Sequence, residues 1–178
     1  MTAGVVARGR AHLLIDGYNL IHQLPELAAL FAESREAAAE ALIRMARTLH
    51  DAEDILVTVV FDGSSRQLQV QTPCGRDSFS VVYAPAHLTA DGVLEQMLAR
   101  SKHPERFTVA SRDNMIREVA ASRGAFLLSG EQLSAWVDRC ERGVREKLGS
   151  RPQASWGNRL GAALDGVVDP PGAALRKR

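Results

Sequence analysis

The sequence has few of the residues that cross-link, anchor or export a protein. Its 178 residues include two cysteines, Cys74 and Cys140, which are too few for a disulfide framework and lack the paired C-x-x-C ligands of a structural zinc site. No apolar run approaches the roughly 18 residues that a membrane span needs. The first ten residues lack the apolar core and cleavage site of a signal peptide. We therefore expect a cytoplasmic protein with no membrane partner.

Missing motifs exclude several common classes of α/β enzyme. The sequence has no G-x-x-x-x-G-K-[ST] segment, which argues against a P-loop nucleotide hydrolase. It has neither the G-x-G-x-x-G turn of a dinucleotide-binding domain nor the G-x-S-x-G elbow of an α/β-hydrolase. A phosphatase of the haloacid-dehalogenase type needs a second aspartate two residues after the first, and Tyr18 occupies that place after Asp16.

The composition is that of an ordinary globular chain, with 46% hydrophobic and 24% charged residues. This length favours one core over two full-size domains. We expect a flexible N-terminus over residues 1–10, a folded domain over 11–148 and a flexible tail over 149–178. The residues from Arg139 onward include nine Lys and Arg and four acids. This segment therefore carries a net charge of +5, whereas the whole chain carries +1. The tail is expected to aid RNA or ribosome binding, or simply to be a soluble extension.

Apolar runs alternate with helical periods along the chain. The predicted strands are residues 13–15, 55–61, 79–83, 107–110 and 125–128, and residues 65–70 are interpreted as a loop or a short edge strand. The predicted helices are residues 25–31, 34–50, 89–100, 114–123 and 129–148. Strands that alternate with helices indicate a parallel sheet covered on both faces. We therefore expect a three-layer α/β/α fold with a central, mainly parallel sheet of about five strands. In the last helix, the predicted buried stripe runs through Leu133, Trp136, Val137, Cys140, Val144 and Leu148.

Four aspartates follow predicted strands at positions where ligands bind in α/β proteins. Asp16 and Asp62 end two strands, Asp113 follows a third within three residues, and Asp91 lies in the first turn of the helix after a fourth. Because ligands bind beyond the carboxyl ends of parallel strands, we expect these acids to gather at one sheet edge. Taken singly, each has a structural alternative, since Asp16 and Asp62 precede glycines as in turns and Asp91 and Asp113 suit helix N-termini.

Taken together, the four acids indicate a cation, because like charges on one edge repel each other. Carboxylate ligands without a His or Cys cluster favour Mg²⁺ or Mn²⁺. Glu95 lies four residues after Asp91 on the same helix face, as a further ligand, a residue that orients water, or a solvated surface acid.

Four segments in order resemble the NYN domains, a branch of the PIN-like nuclease superfamily. They are residues 13–21 (LLIDGYNLI), 59–63 (VVFDG), 88–91 (LTAD) and 109–113 (VASRD). The sequence is most similar to the YacP-like subfamily, which includes a ribosome-associated endoribonuclease of Gram-positive bacteria. The resemblance covers roughly residues 11–148.

This resemblance implies a metal-dependent endoribonuclease that acts on RNA, including RNA on the ribosome. Asp16, Asp91 and Asp113 would be the Mg²⁺ or Mn²⁺ ligands, and Asp62 or Glu95 would position the attacking water. Substrate contacts are expected from Asn19 and Arg112, although Asn19 could instead form a turn after the first strand. Two alternatives stay open, namely a non-catalytic RNA- or ribosome-binding module and a metal-dependent phosphatase.

Overall fold

The computed structural model of the protein describes residues 10–75 and 77–149. The chain divides into two units, Met1–Arg142 and Gly143–Arg178, and the first holds the sheet and its flanking helices up to residue 142 of the last one. Of the second unit, the structure describes residues 143–149. The predicted tail therefore lies outside the described residues except for Gly149, as does the predicted N-terminal segment except for Arg10.

The core of the first unit is a six-stranded sheet, parallel except at one edge. Its strands are β1 (His12–Asp16), β2 (Leu56–Asp62), β3 (Gln69–Gln71), β4 (Phe79–Ala84), β5 (Phe107–Ala110) and β6 (Phe126–Leu128). They lie in the order β3-β4-β2-β1-β5-β6, and only the pairing of β3 with β4 is antiparallel. The predicted fold class is confirmed. The sixth strand is the exposed β3. It overlaps residues 65–70, for which the sequence predicts either a loop or a short edge strand.

Six α-helices connect or follow these strands within the described residues. They are α1 (Gly17–Gln23), α2 (Pro25–Glu33), α3 (Arg35–Ala52), α4 (Ala90–Arg100), α5 (Asn114–Ser122) and α6 (Gly130–Gly149), with a short 3-10 turn at Pro104–Arg106. Every predicted element is present, with ends shifted by at most two residues. Helix α1 is the unpredicted element: Gly17 begins a helix where the Asp16-Gly17 pair could also have formed a turn. None of the described helices is long and apolar enough to cross a membrane.

Apolar side chains fill both faces of the sheet, as the nearly continuous apolar strands predict. Along β1, Leu13 and Ile15 pack in a cluster with α1, α2, α3 and α6, whereas Leu14 belongs to a second cluster with α4 and α5. In α6, Leu133, Val137 and Cys140 are buried in the first cluster. The predicted stripe is wrong at Val144, which is 46% exposed and belongs to the second unit, whereas the buried members of the stripe belong to the first. The side chain of Leu148, the last predicted member, lies outside the part that the structure describes.

Parallel register aligns the carboxyl ends of the three central strands. Asp16 pairs with Val60 two residues before the end of β2, and Ile15 pairs with Ala110 at the end of β5. Residues just after these strands therefore emerge at one edge of the sheet, as expected for the acids.

Gly17 is required where α1 crosses β2, since an added Cβ would overlap the buried Phe61 ring and approach the carbonyl oxygen of Val60. Gly17→Ala should therefore lower the free energy of unfolding by about 1–3 kcal/mol, a usual cost of overpacking. Urea unfolding midpoints measure this loss. The matched control is Gly143→Ala, whose Cβ would meet no described atom within 4 Å. That change should be neutral or stabilising by up to about 1 kcal/mol, and equal effects of the two changes would contradict the packing argument.

Candidate active site

Asp16 is the buried acid at the centre of the sheet edge. It is 5% exposed at the end of β1, and its Oδ2 accepts a hydrogen bond from Ser111 Oγ at 3.0 Å. Ser111 is completely buried, and its Oγ also accepts the backbone N–H of Asp113 at 3.0 Å. The hydroxyl therefore links the end of β1 to the loop after β5.

Burial raises the pKa of Asp16 from 3.8 to about 7. The hydrogen bond from Ser111 opposes this rise, whereas the neighbouring Asp91 carboxyl adds to it. A carboxyl of this kind holds a proton near neutral pH when no cation lies beside it.

Asp91 lies in the first turn of α4 and is the acidic neighbour of Asp16. We call these two residues the acid pair. Thr89 begins this helix by accepting the Gly92 N–H at 3.2 Å. Burial is the main cause that raises the pKa of Asp91, and the charges of Asp113, Asp62 and Glu95 raise it further. A hydrogen bond with the Asp16 carboxyl, which needs a proton on one of the two groups, opposes this rise. Apart from that shared proton, Oδ1 of Asp91 is buried and has no hydrogen-bond partner among the described residues. An oxygen left in this state is costly unless a cation or another donor meets it.

Two of the other predicted acids have structural roles as well as electrostatic ones. Asp62 Oδ1 accepts the Ala90 N–H at 2.8 Å, which ties the end of β2 to the start of α4. Asp113 caps α5, since its Oδ1 accepts the N–H groups of Met115 at 2.8 Å and Ile116 at 3.3 Å. The helix-cap alternative for Asp113 is thus correct, while its charge still reaches Asp91.

Glu95 lies one turn after Asp91 on α4 and is half-buried. Its charge is among those that raise the pKa of Asp91.

The predicted substrate-contacting residues lie beside the pair, and Asn19 is structurally engaged. Its Oδ1 accepts the Arg112 N–H at 2.8 Å and the Gln23 Nε2 at 3.0 Å. Gln23 Oε1 in turn accepts the Gly130 N–H at 3.2 Å, at the start of α6. Asn19 and Gln23 therefore join α1 to the loop after β5 and to α6. The Arg112 residue is exposed at this loop.

Sequence reasoning missed Ser111 and Gln23 as part of the site. Ser111 follows β5 directly and precedes Asp113 by two residues, so its place after a strand was a usable signal. Gln23 gave no such signal, because it ends a helix rather than following a strand. Its partners Asn19 and Gly130 lie 4 and 107 residues away in the sequence.

The three predicted metal ligands do not form a ready-made metal cluster. Among the residues that the structure describes, no group of three or more His, Cys, Asp or Glu side chains has metal-binding geometry. A narrower feature fits a hard cation, namely the partnerless Oδ1 of Asp91 beside the buried Asp16 carboxyl.

A family model described as the YacP-like NYN domain matches residues 13–168. The chain belongs to the YacP-like NYN domain family. This family is a branch of the PIN-like nucleases, and membership supports a nuclease or RNA-related function. The match passes the boundary near residue 148 that the sequence motifs indicated and takes in twenty residues of the predicted tail.

Similar proteins from Bacillus subtilis include one sequence relative and two crystal structures of similar fold. The chain is 28% identical over 138 residues to the protein named Uncharacterized protein YacP from strain 168, which is 76% of this chain and 80% of the relative. It is similar in fold to the crystal structure of Rae1 (YacP), with TM-score 0.66 and 23% identity over 86% of this chain and 88% of that one. The W164L mutant of Rae1 gives TM-score 0.64 and 24% identity, with coverage of 88% and 99%.

The raised pKa of Asp16 predicts a pH-dependent cost in the metal-free protein. Because its pKa is about 7 when folded and 3.8 otherwise, the folded state retains a proton that the unfolded state loses between these values. The free energy of unfolding therefore carries no penalty from this group below about pH 4, and it falls as the pH rises through about 7.

Asp16→Asn should thus unfold at higher urea concentration than the parent at pH 8 in EDTA, and the difference should shrink towards pH 4. Each pKa unit corresponds to about 1.4 kcal/mol, so a gain of a few kcal/mol is expected at pH 8. Asp138→Asn, at an exposed position on α6, is the control and should show no such trend. A loss of stability in Asp16→Asn at pH 8 would contradict the pKa assignment.

Proposed function

We propose that this protein is a Mg²⁺- or Mn²⁺-dependent endoribonuclease that hydrolyses RNA phosphodiester bonds. The observation that supports it best is the acid pair formed by the buried Asp16 and the half-buried Asp91, in which one buried carboxylate oxygen of Asp91 has no partner among the described residues. Family membership points to the same class of activity. RNA on the ribosome is the proposed substrate, in a cytoplasmic setting.

Asp16, Asp91 and Asp113 would hold the cation. Asp113 can take part with Oδ2, because its Oδ1 caps α5. A bound divalent ion supplies activation of water and neutralises charge on the phosphate and the leaving oxygen. Hydrolysis of this kind leaves a 5′-phosphate and a 3′-hydroxyl.

The remaining polar residues would position the reactants. Asp62 keeps one oxygen beyond its bond to Ala90, and Glu95 lies one turn along α4, so either can orient water. Arg112 is exposed next to Asn19 and can contact a phosphate oxygen that the acids repel. The proposed role of Asn19 is to hold this loop in place, and its amide N–H can reach the substrate.

Cleavage of RNA tests the proposal against its two alternatives. The protein is incubated with structured RNA, single-stranded DNA and a chromogenic phosphate ester, each with Mn²⁺ or with EDTA. An endoribonuclease of the proposed kind cuts the RNA in the presence of Mn²⁺ and leaves it intact in EDTA. A non-catalytic RNA- or ribosome-binding module binds RNA without cutting it, and a phosphatase hydrolyses only the small ester.

Asp91→Asn and Asp16→Asn should each reduce RNA cleavage by about 100-fold or more at saturating Mn²⁺. The expected loss follows because metal binding contributes several kcal/mol to the transition state and about 1.4 kcal/mol is a factor of ten. Asp138→Asn is the control and should cleave at the parent rate. Full activity in both site variants would rule out the assigned ligands.

Mn²⁺ should raise the melting temperature of the parent protein, because a ligand that binds only the folded state stabilises it by mass action. Asp113→Asn should show a smaller rise. Asparagine is also a good N-cap, so this change removes the charge while the start of α5 is preserved. Identical melting of the parent in Mn²⁺ and in EDTA would contradict the proposed metal site.

A further inference from the structure

A groove of about 540 Å³ lies next to the acid pair, and of its lining residues only Asp62 takes part in the proposed chemistry. Tyr18, Arg35, Glu36, Glu40, Asp62 and Tyr83 are among its lining residues. They come from α1, from the first half of α3 and from the ends of β2 and β4. We call this feature the tyrosine groove.

The two tyrosine rings of the groove pack on a buried phenylalanine. Phe61 is completely buried between Tyr18 and Tyr83, with ring centroids 4.9 and 5.7 Å away. The Arg35 guanidinium lies over the Tyr18 ring, its Cζ 4.1 Å from the ring centroid. A guanidinium at this distance over an aromatic ring is a group on which a nucleobase can stack.

The tyrosine hydroxyls are available to a ligand. Neither Tyr18 nor Tyr83 forms a side-chain hydrogen bond with another residue in the described part of the chain. Both tyrosines are half-buried and line the groove.

The charges in the groove favour a neutral ligand over a phosphate. Glu36, Glu40 and Asp62 line it, and among its described lining residues the only cation is Arg35, which already stacks on Tyr18. Carboxylates repel a phosphodiester but accept hydrogen bonds from exocyclic amino groups, as Asp and Glu do with cytosine.

Asp62 connects the groove to the acid pair. It lines the groove, and its charge also raises the pKa of Asp91. A nucleic-acid strand with one phosphate at the acid pair can therefore place a nearby base in the groove.

We propose that the tyrosine groove binds one unpaired RNA base, stacked on the layer formed by Arg35 and Tyr18, and prefers bases with an exocyclic amino group over uracil. The identification of the strand as RNA rests on the proposed function. The groove thereby selects the position of the strand relative to the acid pair.

An abasic scan of an RNA oligonucleotide tests this with the unmodified full-length protein. Single abasic nucleotides are placed at successive positions, and binding is measured by fluorescence anisotropy in EDTA, where RNA is kept intact. One position should lose about tenfold in affinity, the usual size of one stacking contact, and the others less. At that position, cytosine should bind more tightly than uracil. A flat scan, or no binding of the intact RNA, would overturn the proposal.

A paired variant localises the effect to the groove. Removal of Arg35 alone would expose the Tyr18 ring as a replacement platform, so the variant carries both Arg35→Ala and Tyr18→Leu. The control carries Arg47→Ala and Phe31→Leu, because Arg47 is also an exposed arginine of α3 and Phe31 also contacts Tyr18, at 5.8 Å between ring centroids. Neither control residue lines the groove. Thermal melting shows that each variant is folded.

The variant should lose the position-specific penalty, and the control should keep it. Equal behaviour of the two would assign the penalty to another surface. Should the variant fail to fold, the abasic scan of the parent decides alone. Cleavage with Mn²⁺ together with a flat scan would support the proposed function and overturn the base-binding role of the groove. A position-specific penalty without cleavage would support the base-binding role and overturn the proposed function.

Discussion

Repulsion between carboxylates at one sheet edge is the constraint on which the rest of this site depends. Asp16 is buried at the end of β1 with Asp91 beside it, and burial raises the pKa of both. The fold accepts this cost with only partial compensation, since Ser111 donates to Asp16 and Asp91 Oδ1 has no partner among the described residues. A buried arrangement that destabilises the metal-free protein is typical of a binding or catalytic site.

Hydrogen bonds around the pair keep these acids close together despite their repulsion. Asp62 ties β2 to α4, and Asp113 fixes the start of α5. Asn19 and Gln23 join α1 to the loop after β5 and to α6. Side chains that were candidates for chemistry therefore also build the walls of the site, so their substitution changes both geometry and charge.

The region beside the pair separates two kinds of ligand surface. Arg112 is exposed in the loop after β5, where a phosphate would need a cation. Tyr18 and Tyr83 line a groove with acidic walls, which suits a neutral and planar group. A strand of RNA, the proposed substrate, offers both chemistries within one nucleotide.

The order of strands and helices, the parallel sheet and the gathering of acids at its edge could all be predicted from the sequence, because apolar periodicity and the strand-end rule are local signals. Helix α1 was not predicted, because the Asp16-Gly17 pair is equally compatible with a turn. The roles of individual acids depended on distant partners: Asp62 meets Ala90 28 residues away, and Ser111 meets Asp16 across 95 residues. Only the tertiary structure could decide which oxygen is bonded, which is left without a partner, and which aromatic rings share a groove, because packing brings those groups together independently of their spacing in the chain.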